Sequence, residues 1–147
     1  MSLIKIKTRD FSEVEINEDL ILTFPNGIFA FEDEKRFVLL SPLGEDKFPM
    51  WLQSIDKQDL CFIVFDPKEF CPDYAVTISD EDKNEIGFEQ GHQTEYISIA
   101  VIPQEYIDTT INLKSPIVID NNTKKAIQVI APESYPLKFS LYKKEEN

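Results

Sequence analysis

The sequence predicts an all-β fold, a small antiparallel β-barrel-like domain of about ten short strands with one short helix near residues 80–86. Three observations carry this. Apolar residues recur with period two through most of the chain, as in Ile4-Lys5-Ile6-Lys7-Thr8, where Ile4, Ile6 and Thr8 share one face of a half-buried strand. Pro, Gly, Asn and Asp cut these runs at short intervals, and they are the residues turns require. Only Ser79 opens a convincing helix. Short strands separated by turns leave exposed edges unless the sheet closes on itself, so a barrel is expected.

In order, Glu13-Val14-Glu15-Ile16 alternates again, until Asn17-Glu18-Asp19 breaks it. Leu20 to Phe24 reads as a third strand and Phe37 to Leu40 as a fourth, ended by Ser41-Pro42 and a loop through Gly44-Glu45-Asp46. Met50 to Ile55 follows, with Trp51 the expected core anchor. Cys61-Phe62-Ile63-Val64-Phe65 is apolar throughout and needs cover on both faces: the barrel interior on one, and a loop, helix or partner on the other. Tyr74 to Ile78 alternates as another strand. Ser79 is then an N-cap before Asp80, Glu81 and Asp82, acids that favour the positive end of a helix dipole, and Gly87 ends the helix. Phe88 to Glu95 reads as a polar loop and Tyr96 to Ile102 as a strong strand. Pro103 to Thr110 connects onward with a single helical turn. Ile117-Val118-Ile119 and Ala126 to Ile130 flank a hairpin loop at Asp120 to Lys125. Leu137 to Tyr142 is the last strand, and Lys143 to Asn147 a frayed charged tail.

Length, 147 residues, is that of one domain spanning 1–147, and 42% apolar with 12% aromatic residues suits a packed core. No run approaches a membrane span, and no apolar signal segment opens the chain, so a cytoplasmic protein without membrane contact is expected. Twenty-seven acids against 15 bases give a net charge of −12. Such a field repels phosphates, which argues against direct nucleic-acid binding, and draws in basic partners. Cys61 reads as a small buried hydrophobe, and both it and Cys71 are expected to stay reduced.

The densest stretch is Phe24-Pro25-Asn26-Gly27-Ile28-Phe29-Ala30-Phe31, closed by five charges from Glu32 to Arg36. Pro25 keeps Phe24 extended and Asn26-Gly27 accepts the positive φ of a reversal. Phe24-Pro25-x-Gly27 followed by Phe31-Glu32 resembles the F-P-x-G-x-x-G-F-E signature of the bacterial flagellar assembly factor FliW family, with Ala30 where that pattern has glycine. A positive φ at Ala30 is therefore expected to be disfavoured. Trp51-Leu52-Gln53-Ser54, Asp66-Pro67, Pro72-Asp73-Tyr74, Asn112-Leu113-x-x-Pro116-Ile117 and Tyr135-Pro136-Leu137 continue the resemblance in order along nearly the whole chain.

Catalytic chemistry is poorly supported. His92, the single histidine, lies in Gly91-His92-Gln93-Thr94 and is expected to be exposed and inert. Phosphate-binding glycine loops are missing. Asp80-x-Asp82-x-Asn84 imitates a calcium loop but has Glu85 at the sixth position and Gly91 at the twelfth. Zinc ligands do not cluster, so no metal and no cofactor is expected. Phe29, Phe31 and Phe37 rimmed by Glu32, Asp33 and Glu34 combine an apolar anchor with a charged border, as interfaces do. Phe70-Cys71-Pro72-Asp73-Tyr74 is a second such loop, and exposed strand edges are a third route. The resemblance implies a non-enzymatic flagellar assembly factor, a monomer when free, that binds flagellin in the cytoplasm. It further implies that, when flagellin is scarce, the factor binds carbon storage regulator A, a basic RNA-binding dimer that represses flagellin translation. In the family this antagonism is allosteric. Glu32, Asp33, Glu34 and Asp73 are the expected steering residues for the basic partner, with Phe31 and Tyr74 supplying apolar contact to one of the two partners. The alternative is a small barrel that binds an apolar metabolite or acts as an enzyme, which a large open cavity would favour.

Overall fold

The computed structural model describes residues 2–142, so the charged tail from Lys143 lies outside the described residues. Eleven strands run in the order β1 (Leu3–Lys7), β2 (Glu13–Asn17), β3 (Leu22–Thr23), β4 (Arg36–Leu40), β5 (Met50–Ser54), β6 (Cys61–Phe65), β7 (Thr94–Val101), β8 (Thr110–Ile111), β9 (Ile117–Asp120), β10 (Lys125–Gln128) and β11 (Phe139–Ser140). One helix, α1 (Asp80–Glu85), lies between β6 and β7.

Seven strands close the barrel in the order β3-β4-β5-β6-β7-β9-β10 and back to β3. All neighbours are antiparallel except β10 and β3, which meet parallel at Lys125 and Thr23. An odd ring cannot alternate direction all the way round, so the antiparallel barrel carries one parallel seam. Period-two alternation sorts the side chains: Phe37, Leu52, Val64, Ile97, Ile117 and Ala126 fill the interior, each at or near zero exposure. Phe65, Val118, Ile127 and Val129 point outward into a second cluster. That cluster is covered by residues 70–78, by Ile86 just past α1, and by Tyr135. The apolar run from Cys61 to Phe65 is thus double-sided because both of its faces are core.

Local chemistry sets the helix. Ser79 Oγ accepts from the Asp82 amide at 3.1 Å, three acids occupy the first turn, and Ile86 is fully buried. Gly87, at φ +65°, lets the Phe88 amide return to the Lys83 carbonyl at 2.9 Å. The β1–β2 hairpin stands apart from the barrel sheet. It lays Ile6 and Ile16 on Val38 of β4, and pairs Lys5 with Glu15 and Lys7 with Glu13 on its outer face.

Several expectations are corrected. The third strand starts at Leu22, because the Asn17 side chain accepts from the Asp19 amide and starts a 3-10 turn at Glu18–Leu20. Tyr74 to Ile78 keeps alternating burial but joins no ladder: Tyr135 Oη and Glu133 Oε1 accept from the Ala75 and Thr77 amides instead. The final strand shrinks to Phe139–Ser140. Trp51 is half-buried rather than a core anchor, since its Nε1 donates to Asp10 Oδ2 and holds the ring near the surface against Phe11.

Gln53, at zero exposure, is the buried polar residue among those that dock the hairpin tip on the barrel. Its Oε1 accepts from the Arg9 amide at 3.0 Å, while Nε2 donates to the Gln58, Leu60 and Ser54 carbonyls. Gln53→Ala would take the acceptor from the Arg9 amide and a donor from the Gln58 carbonyl and leave a void at a fully buried site, and urea unfolding should show a loss of about 1–3 kcal/mol. A loss under roughly 0.5 kcal/mol, the level of a neutral surface change, would contradict this role.

Candidate functional site

The turn after β3 is built around two buried anchors, Phe24 and Ile28, with Phe24 edge-on to Phe37 at 5.2 Å. Gly27 has φ +68°, and a Cβ there would fall 2.5 Å from Glu32 Cα, so the two arms of the turn need glycine to approach. The Phe31 amide donates to the Ile28 carbonyl at 2.7 Å, and the Phe31 ring closes edge-on over Phe62 of β6 at 5.6 Å. Phe29 points away from the core at 47% exposure, its amide held by Gln128 Oε1 at 2.9 Å. Of the three anchoring phenylalanines, then, Phe37 is core, Phe31 is a half-buried lid and Phe29 is the one presented to solvent. Glu32 and Asp33 are exposed and Glu34 half-buried. Glu32 Oε1 accepts from the Ala30 amide, and Lys35 Nζ donates to the Pro25 carbonyl.

Ala30 adopts φ +73° even though it carries a Cβ. The hydrogen bonds on either side of it impose the left-handed backbone, so the site holds strain that a glycine would not.

The second loop falls elsewhere. Phe31 belongs to the interior cluster and Tyr74 to the outer one. Tyr74 is only 2% exposed; its hydroxyl donates to the Leu113 carbonyl at 2.6 Å and its ring packs on Tyr135 and Tyr96. Burial pushes its phenol well above the ordinary value. Tyr74, expected as a contact residue, is therefore a core residue, because alternation turned it inward while leaving Asp73 exposed. Cys61 is buried and its thiol pushed up to about 11, as an inert core cysteine would be.

His92 departs furthest from expectation. It is 19% exposed, and its Nδ1 lies 2.9 Å from Oδ2 of Asp120, which is completely buried. Asp120 Oδ1 accepts from the Asn122 and Thr123 amides at 2.8 and 3.0 Å. Burial raises this carboxyl, but His92 and the two amides more than offset it, so it is held below the usual carboxylate range. The pair fastens the residue 88–93 loop to the β9–β10 hairpin. Beyond the turn, exposed apolar surface collects from the end of β7 onward at Val101, Ile102 and Tyr106, with Tyr142 edge-on to Tyr106.

Two tests follow from these geometries. Ala30→Gly should raise unfolding stability by up to about 1 kcal/mol, the left-handed penalty less glycine's extra unfolded-state freedom; a drop would show that no strain resides there. For Asp120 the folded carboxyl lies below its unfolded value of 3.8, so its contribution is present above that pH and lost as pH falls through the folded value. Urea midpoints measured from neutral pH down into that range should therefore fall more steeply for the wild type than for Asp120→Asn; parallel curves would refute the coupling.

Comparison with known proteins agrees with this architecture. The family model described as "FliW protein" matches residues 5–141. The flagellar assembly factor FliW of Caldicellulosiruptor bescii is 37% identical over 139 residues, 93% of this chain and 90% of that protein. The namesake from an Exiguobacterium species is 39% identical over 137 residues, 92% and 93% of the two chains. A crystal structure of the flagellar assembly factor FliW superposes with a TM-score of 0.86 at 31% identity, covering 95% of this chain and 98% of that one. The chain belongs to the FliW family of flagellar assembly factors.

Proposed function

We propose that this chain serves flagellar assembly as a cytoplasmic, non-catalytic exchange protein. It binds flagellin and, when flagellin is scarce, binds carbon storage regulator A and relieves its repression of flagellin translation. The observation that carries this reading is the turn itself. Exposed Phe29 and half-buried Phe31 stand beside exposed Glu32 and Asp33 on a backbone already fixed by hydrogen bonds. A preorganised apolar anchor with a charged border loses little freedom on docking, which favours binding. The net charge of −12 supplies long-range attraction for a basic dimer. Asp73, exposed on its own loop, adds to that field, while Phe31 and Phe29 take the apolar role. The metabolite-barrel alternative is disfavoured by an interior filled with Phe24, Phe37, Leu52 and Ile97.

Mutual exclusion of the two partners follows if their sites overlap or if each selects a different conformation. Reversing Glu32, Asp33 and Glu34 together to lysine should slow association with the regulator by about tenfold at low salt and flatten its salt dependence in stopped-flow measurements. Unchanged association kinetics would reject this surface.

A further inference from the structure

The end of the barrel opposite the aromatic turn is a groove. The C-terminal ends of β4 and β6 and the N-terminal ends of β5 and β7 meet there, under the loop from Ser41 to Pro49. Its floor is apolar: Leu39, Phe48 and Met50, extended at the side by Leu20, which is 51% exposed. The space amounts to about 460 Å³, and a second lobe of about 270 Å³ shares Phe48, Asp66 and Glu95. Four carboxylates, Glu45, Asp46, Asp66 and Glu95, border the two lobes against a single lining cation, Lys68.

The geometry points to this groove as the seat of a basic, apolar-bearing peptide segment of a protein partner, its arginine or lysine among the four carboxylates and its apolar side chains on Phe48 and Leu39. Charge complementarity commits the occupant. A neutral apolar ligand would cover Leu39 and Phe48 but strip water from carboxylates without compensation. An anion would be repelled, and a bare cation would leave the apolar floor wet. Glu95 is half-buried, and burial raises its carboxyl. Asn121 and Lys124 oppose that shift, while Asp46 and Asp66 add to it. Four carboxylates against one lining cation leave the negative charge gathered here only partly offset, and an incoming guanidinium or ammonium would complete the balance. The groove lies across the barrel from Phe31, so it offers a contact separate from the turn. The inference rests on the partner reading above for who carries the segment, and on the groove alone for its chemistry.

Two amidated pentapeptides test it, one alternating leucine with arginine and the other leucine with glutamate, each titrated into the 15N-labelled full chain. The arginine peptide should shift the Phe48, Asp66 and Glu95 amides, and the glutamate peptide should shift none. The double variant Asp66→Asn/Glu95→Gln should weaken arginine-peptide binding about fivefold or more, the scale of a lost partly buried charge pair. Glu13→Gln/Glu15→Gln removes equal charge from the exposed outer face of the β1–β2 hairpin and should change it less than about twofold. Equal effects of the two doubles would mean diffuse attraction and overturn the groove, as would shifts elsewhere or no binding. Groove shifts that appear on concentrating the chain alone would make a second copy the occupant and also overturn it. The Asp66→Asn/Glu95→Gln variant should stay folded, since it removes poorly compensated charges, and its unfolding curve checks this. If the arginine peptide binds in the groove but the proposed regulator does not bind the chain, the partner reading falls and the groove stands. A regulator that binds wild type and groove double equally overturns the groove as its seat.

Discussion

Everything in this structure depends on filling and closing a seven-stranded ring. The interior residues Phe37, Leu52, Val64, Ile97 and Ile117 come from five different strands, and none has an apolar surface to rest on until the others arrive. Burying each is worth roughly 1.5–3 kcal/mol, so the cluster outweighs any single hydrogen bond in the molecule. The ring itself is secured where β10 meets β3 at one registered residue pair, and by a turn that places Phe24, Ile28 and Phe31 over one end.

That constraint explains why the surface reading follows from the core. To cover Phe62, the turn must reverse at Gly27 and again through the left-handed Ala30, and the same backbone leaves Phe29 and Glu32 facing water. The preorganised surface is a by-product of plugging the barrel. At the other end no comparable plug forms; Phe48 borders both apolar clusters and leaves an acidic groove beside it. One end is closed by aromatic packing and the other is bordered mainly by carboxylates, so the barrel has two chemically distinct ends.

The alternating strands were legible because burial on one face imposes a period of two, and Ser79 announced α1 through the capping its hydroxyl performs. Tyr74 to Ile78 alternates just as clearly, yet no strand edge is left for it, and Tyr135 and Glu133 take its amides. Pattern reports burial and not pairing. The burial of His92 is hidden for a related reason: its partner, Asp120, is 28 residues away, and nothing local marks a loop that closes on a buried carboxylate. The groove was invisible because Glu45, Asp66 and Glu95 come from three separated segments that only barrel closure gathers. Ala30 was legible as a conflict between residue and backbone, and the structure resolves it in favour of the backbone.

The central claim is that this protein works by exchanging partners. It is tested most directly by titrating purified flagellin into a preformed complex of the chain with carbon storage regulator A and following the complex by analytical ultracentrifugation. The account predicts that the regulator is released as the flagellin complex forms. A stable three-component species with undiminished regulator binding, or failure of the chain to hold either protein, would contradict it.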